Sequence, residues 1–313
     1  MRIFKAEEVH ALAPYADLVD ALEVAHQSEI CAPERHHHTM GNPKGEDSTL
    51  LIMPAWREQD AIGVKVVTIC PENAKSGDPA VRGLYLWQDG KTGNPLAIMD
   101  GAALTARRTA CSSALAARHL AREDASIHLM VGAGALAPHL MRAHATQRKL
   151  DKFLIWARKP EKAEAIAEAA RAGGMNAASV ADLKSAAEEA DIISCATLSN
   201  EPLVKGAWLK SGAHLDLVGA FNPQMRESDD DAVRRATVFC DTKDGVLKEG
   251  GDITSPIAAG VISPNDIAGE LRDLASGAHA GRTSPEEITL YKSVGAAIQD
   301  FAAASLVWKN ANG

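Results

Sequence analysis

Apolar positions follow two regimes along the chain. Residues 50–56, 61–70, 83–89 and 95–99 are strand-length stretches broken by turns, the last two facing each other across Gly90-Lys-Thr-Gly93 as a hairpin. From residue 127 the pattern changes. Short continuous apolar runs at 127–131, 153–156, 191–197, 214–220 and 237–240 are separated by helical or loop stretches, the signature of strands buried on both faces of a parallel sheet. Helical spacing covers two segments within residues 6–30 on either side of Pro14, a small-residue stretch at 105–120, residues 160–172, and a segment read as capped at Ser284 and running to about Asn310. The order predicts an α/β protein in which a doubly wound, mainly parallel domain is joined to an α+β domain.

The transition at Val131 carries the most chemistry. Gly132-x-Gly134-x-x-Ala137 follows an apolar strand directly. Gly132 permits a sharp reversal, Gly134 leaves the backbone free to approach a pyrophosphate, and Ala137 lets the next helix pack close to the sheet. A helix opening near Ala135 would aim its free N–H groups at the phosphates. The tip of the second strand, Ala157-Arg158-Lys159, has no acid to accept from the 2′-hydroxyl of NAD. Arg158 and Lys159 therefore favour NADPH, with NADH possible; the bland reading is two solvated loop charges. Thr197, at the end of a later strand, stands where the nicotinamide ribose or a phosphate would lie.

Composition narrows the partners. The chain has 313 residues, enough for two domains, and carries a net charge of −8, which argues against nucleic acid or an anionic membrane as partner. No apolar run reaches transmembrane length and the first residues lack the apolar core of a signal peptide, so a cytoplasmic protein is expected. Five scattered cysteines form no C-x-x-C pair. The His36-His37-His38 triplet has no Asp, Glu or Cys at a convincing third-ligand spacing, so a polar strand face is preferred and no metal is expected. Gly90-Lys-Thr lacks the earlier glycine of a P-loop, where Tyr85 stands.

Two cations conflict with their surroundings. Lys65 interrupts a β-branched apolar run, where an unpaired ammonium is costly. Arg108, read as near the first turn of the 105–120 helix, gains nothing from the dipole there and points to a bound anion; a plain surface arginine is the alternative.

Together, Gly63-Val-Lys65, Thr105-Ala-Arg-Arg108-Thr-Ala, Val131-Gly-Ala-Gly-Ala-Leu-Ala137, His214-Leu-Asp-Leu-Val-Gly219 and Lys292-Ser-Val-Gly295 resemble, in order and spacing, the ornithine cyclodeaminase/mu-crystallin family over nearly the whole chain. The resemblance implies a substrate-binding and dimerisation domain from residues 1–118 plus 290–313, with a Rossmann domain at 119–289 inserted between. It implies that Arg35, Lys65 and Arg108 converge on a substrate carboxylate. Thr109, the turn residues Gly132, Gly134, Ala135, Leu136 and Ala137, and Thr197, Val218 and Ser293 would hold the dinucleotide beside Arg158 and Lys159. The family's cyclodeaminases look to have an aspartate where this chain has Phe221, so ornithine cyclodeamination is not expected. The sequence is more similar to members that reduce cyclic ketimine carboxylates, Δ1-pyrroline-2-carboxylate or Δ1-piperideine-2-carboxylate, to L-proline or L-pipecolate. In that reading Arg35 and Arg108 clamp the carboxylate, Lys65 joins them or protonates the ring nitrogen, and Phe221 covers the ring. Lys65 and Arg108 are the expected catalytic residues. Alternatives are dehydration of cis-3-hydroxy-L-proline, alanine dehydrogenation, and non-catalytic binding of NADPH or a small ligand. A homodimer is implied.

Overall fold

In the computed structural model, which describes residues 1–313 apart from the side chains of Ala74 and Lys75, the chain divides into two compact units. One comprises Met1–Arg108 with Ala296–Gly313, the other Thr109–Gly295. The expected boundaries lay at 118/119 and 289/290. The observed ones fall inside a helix on one side and after a late strand on the other.

The first unit opens with β1 (Arg2–Phe4), α1 (Ala6–Leu12) and α2 (Tyr15–Gln27), the two helices parting at Pro14 as the pattern required. Then come β2 (His36–Met40), β3 (Ser48–Arg57), β4 (Ala61–Ile69), β5 (Val81–Asp89) and β6 (Pro95–Asp100), in a six-stranded sheet ordered β1-β6-β5-β4-β3-β2. Alternation decides which side chains go inside. On β4, Ala61, Gly63, Lys65 and Val67 are buried, and so are Met53, Tyr85, Trp87, Ala97 and Met99 on the neighbouring strands. The opposite face carries Ile52 against Val66, Pro54 against Val64, Val66 against Leu84, Val64 against Leu86 and Leu86 against Ile98. Both faces of this sheet are therefore apolar.

Helix α3 (Gly101–Leu120) starts four residues earlier than its small-residue pattern indicated, because Asp100 accepts from the Ala103 N–H at 2.8 Å and caps the first turn. Arg108 consequently lies in the third turn, and the dipole conflict read from the sequence does not arise.

The second unit is an eight-stranded, all-parallel sheet. In chain order it contains β7 (Ile127–Val131), α4 (Ala137–Ala145), β8 (Lys152–Trp156), α5 (Pro160–Ala172), β9 (Ala177–Ser179), α6 (Leu183–Glu189), β10 (Ile192–Cys195), β11 (His214–Leu217), α7 (Asp230–Arg235), β12 (Thr237–Cys240), α8 (Lys243–Glu249), α9 (Gly251–Ala258), β13 (Ile267–Glu270), α10 (Leu271–Ser276) and β14 (Thr289–Lys292). The sheet order β13-β12-β14-β11-β10-β7-β8-β9 puts β14 in the interior, hydrogen-bonded to β11 and β12. This corrects the expectation of one helix from Ser284 onward. Residues 289–292 are a fully buried strand, and the terminal helix α11 (Ala297–Asn312) belongs to the first unit. There α11 contacts α2, β3 and β4, with Phe301 5.0 Å from Trp87 and Phe4 edge-on to Trp308. Among the described residues no helix is long and apolar enough to cross a membrane.

Candidate active site

A buried charge cluster occupies the helix-facing side of the first sheet. Strand alternation turns Lys65 inward, in register with Met53 and Tyr85, where it is 2% exposed. Helix α3 presents Arg108, 6% exposed. Between them, on the first turn of α11, sits Asp300, whose Oδ2 is 2.6 Å from Lys65 Nζ and whose Oδ1 accepts from Arg108 Nε at 2.9 Å. Arg108 Nη1 also donates to Gln299 Oε1 at 2.9 Å. That bond fixes the amide's orientation and leaves Gln299 Nε2 as a buried donor with no acceptor. Gly63 is required beside Lys65 because a Cβ there would lie 2.0 Å from the Tyr85 hydroxyl.

The electrostatics of the cluster are unbalanced. Two cations share one carboxylate, and half-buried Arg35, just before β2, adds a charge that is felt at Lys65. Burial, then repulsion from Arg108 and Arg35, lowers the Lys65 pKa to about 7 against the pull of Asp300. A buried cluster with two cations to one carboxylate and an idle amide donor is complementary to a further carboxylate. Asp300 and Gln299 were missed by the sequence reading; they stand 192 and 191 residues from Arg108.

The second unit holds the glycine turn. Gly132 sits at φ +114° and donates its N–H to Trp156 O at 2.8 Å, and a Cβ there would press to 2.6 Å from Ala196 O. At Gly134 a Cβ would meet nothing within 4 Å, so the backbone there borders open space. Gly134 and Ala135 are exposed, Leu136 is half-buried at the position before α4 without capping it, and buried Ala137 is the first helical residue. The helix thus opens two residues later than expected, with the turn residues themselves outside it. Arg158 and Lys159 are exposed between β8 and α5. Thr197 follows β10, Val218 follows β11 and Ser293 follows β14, each at the C-terminal end of a parallel strand, where open α/β sheets bind ligands. Thr109, 7% exposed, is the next residue of α3 after Arg108, and Phe221, 38% exposed, lies on the loop after β11. Among the described residues no group of three His, Cys, Asp or Glu side chains could hold a metal ion.

The model of the ornithine cyclodeaminase/mu-crystallin family matches residues 2–313. The chain belongs to that family. Among its relatives it is 41% identical over 290 residues to Protein SAR DEFICIENT 4 of Arabidopsis thaliana, covering 90% of this chain and 88% of that protein. It is 36% identical over 297 residues to the Δ1-pyrroline-2-carboxylate reductase of Paracoccus denitrificans, covering 94% and 92%. The solved Thermococcus litoralis Δ1-pyrroline-2-carboxylate reductase, in complex with NADH and L-proline, superposes with a TM-score of 0.93 at 35% identity, covering 100% of this chain and 98% of that one. Family membership gives the glycine turn its context: the second unit is a dinucleotide-binding domain of the Rossmann kind.

Proposed function

We propose that this protein is a nicotinamide-dependent ketimine reductase acting on cyclic imino acids of the Δ1-pyrroline-2-carboxylate type. The observation that carries the reading is the buried Lys65–Asp300–Arg108 cluster, whose excess positive charge and idle Gln299 donor match the carboxylate of such a substrate. NADH or NADPH supplies the hydride that the imine carbon accepts.

Arg108, with Arg35 and the Gln299 amide, holds the carboxylate, so that ring orientation is set before reaction. The electron pair released onto the ring nitrogen requires a proton. Lys65, held near pKa 7, exchanges one readily at neutral pH and is the proposed donor. Asp300 keeps Lys65 in place and partly protonated. Phe221, in place of a carboxylate, can serve as neither acid nor base, which fits reduction rather than cyclodeamination.

The turn from Gly132 to Ala137, with Thr109, Thr197, Val218 and Ser293, is the proposed seat of the dinucleotide, and Arg158 and Lys159 the proposed readers of a 2′-phosphate. The finer preference for NADPH rests on those two cations alone. The apolar outer face of the first sheet, with Ile3 64%, Leu84 57% and Val66 39% exposed, supports a homodimer in which a second copy covers it. Among the described residues none of the five cysteines is in a disulfide, which fits a reducing, cytoplasmic setting.

The deciding experiment follows NADH and NADPH oxidation with Δ1-pyrroline-2-carboxylate and Δ1-piperideine-2-carboxylate, with cis-3-hydroxy-L-proline alone alongside. Imine-dependent oxidation is expected. Ketimine release from hydroxyproline without oxidation would instead assign a dehydratase.

A further inference from the structure

Three strand ends in the second unit are tied together by charges that neither the cationic cluster nor the glycine turn uses. Glu227, 0% exposed, accepts at Oε1 from the Thr197 N–H at 2.7 Å and the Thr197 hydroxyl at 2.8 Å. At Oε2 it accepts from the N–H groups of Gly219 at 2.6 Å and Ala220 at 3.3 Å. Thr197 lies two residues past the end of β10 and Gly219 two past the end of β11. One carboxylate therefore clips both segments. The Glu227 and Ser228 N–H groups in turn donate to Asp252 Oδ1, and Asp252 Oδ2 is 3.1 Å from Nζ of Lys292, the last residue of β14. Asp252 and Lys292 are likewise 0% exposed. The clip is close-fitting, since a Cβ on Gly219 would stand 2.1 Å from Thr197 O and 2.5 Å from Glu227 Oε1.

Holding three strands together does not by itself require this arrangement. Two carboxylates and one ammonium withdrawn from water cost more than apolar packing of the same volume. What a carboxylate adds is direction: it fixes the main chain at the sheet's C-terminal edge, where a ligand of an open parallel sheet is bound.

We propose that Glu227 is a positioning residue for the dinucleotide, holding the segments after β10 and β11 in the conformation that receives the cofactor. The proposal rests on the reading of this unit as the dinucleotide domain. Burial, reinforced by Asp252 and opposed by Lys292 and the four donors, raises the Glu227 pKa to about 7. The groups facing it are Asp252 from α9, Lys292 from β14 and the Cys195 thiol of β10, which burial and Glu227 hold neutral by raising its pKa. Protonation turns one acceptor oxygen into a donor that faces N–H groups, which releases one of the two segments. Dinucleotide affinity should then fall as pH drops through about 7.

The test is calorimetric titration of NAD⁺ into the wild-type protein and E227Q, without imine, between about pH 8 and about pH 6, with circular dichroism and thermal unfolding to establish folding. NAD⁺ has no 2′-phosphate to titrate in that window. Wild-type affinity that weakens on acidification, with E227Q about tenfold weaker at pH 8 and insensitive to pH, is the expected result. A folded E227Q whose affinity and pH dependence match wild type overturns the positioning role while leaving the dinucleotide reading intact. If the wild-type protein binds neither NAD⁺ nor NADP⁺, both readings fall. If E227Q does not fold, the wild-type profile decides, and a flat one overturns the proposal.

Discussion

Lys65 Nζ and Asp300 Oδ2 stand 2.6 Å apart in a site where the lysine side chain is 3% exposed and the aspartate 0%. The pairing sets the charge of Lys65, because Asp300 is what raises a pKa that burial, Arg108 and Arg35 depress to about 7. A proton donor with that pKa loses activity as pH rises through about 7 and its ammonium empties. In D300N the upward pull is gone, so the limb should move to lower pH. The kcat/KM–pH profile, which reports the free enzyme, should show the shift, with a loss of about tenfold at neutral pH for each unit moved. An unshifted limb in D300N would remove Lys65 from proton transfer.

Arg108 tests the carboxylate clamp. Its Nε and Nη1 are taken by Asp300 and Gln299, and the geometry uses the planar fork. R108K keeps the charge but not the fork, and should raise KM for the imine by about 100-fold while leaving NAD⁺ affinity unchanged. Q299L removes the idle Nε2 donor and should raise KM by about tenfold, the worth of one hydrogen bond to a charged group. Steady-state kinetics paired with NAD⁺ titration separates these effects.

The two glycines of the turn should fail in different ways. G132A places a Cβ against Ala196 O at a φ of +114° that L-residues rarely adopt, so its thermal midpoint should drop by several degrees. G134A meets nothing in the protein and should fold as wild type, yet bind NAD⁺ at least about tenfold more weakly because the methyl enters the space a pyrophosphate needs. Equal dinucleotide affinity in G134A and wild type would move the phosphates elsewhere.

How much of this was legible in the sequence follows the range of the interactions. The glycine turn, β7, β8 and α5 are local patterns, and Pro160 sits at the first position of its helix as read. Strand β14 was hidden. Its four residues lie between Ser284-Pro-Glu-Glu, which resembles a capping box but forms a turn, and the alanine-rich α11, and only pairing with β11 and β12 makes it a strand. Lys65 and Arg108 stood out as cations in apolar or small-residue surroundings. Asp300 did not, because an acid in the first turn of a helix is ordinary for the dipole. Its partners come from β4 and α3, and nothing local announces them. Glu227 was equally silent, being one charged residue in a polar loop, with two of its donors on Thr197 after β10 and two at the start of its own loop, seven and eight residues back.

The outer face of the first sheet yields the last prediction. Val66 and Leu84 are register partners on adjacent strands and both are exposed, at 39% and 57%, amid Val64, Leu86 and Ile98. Such a face is stable in water only when something apolar covers it, and a second copy presents the same surface by two-fold symmetry. The double variant V66K/L84E places charges on it without touching the inward residues Lys65 or Tyr85. Sedimentation velocity should show a dimer for wild type and a monomer for the variant, with the circular dichroism spectrum retained. Since Lys65 occupies the opposite face of the same strand, a variant that becomes monomeric and also loses imine turnover, while keeping NAD⁺ affinity, would show that dimerisation holds β4 in the register the cationic cluster needs. A wild-type monomer would require another cover for this sheet.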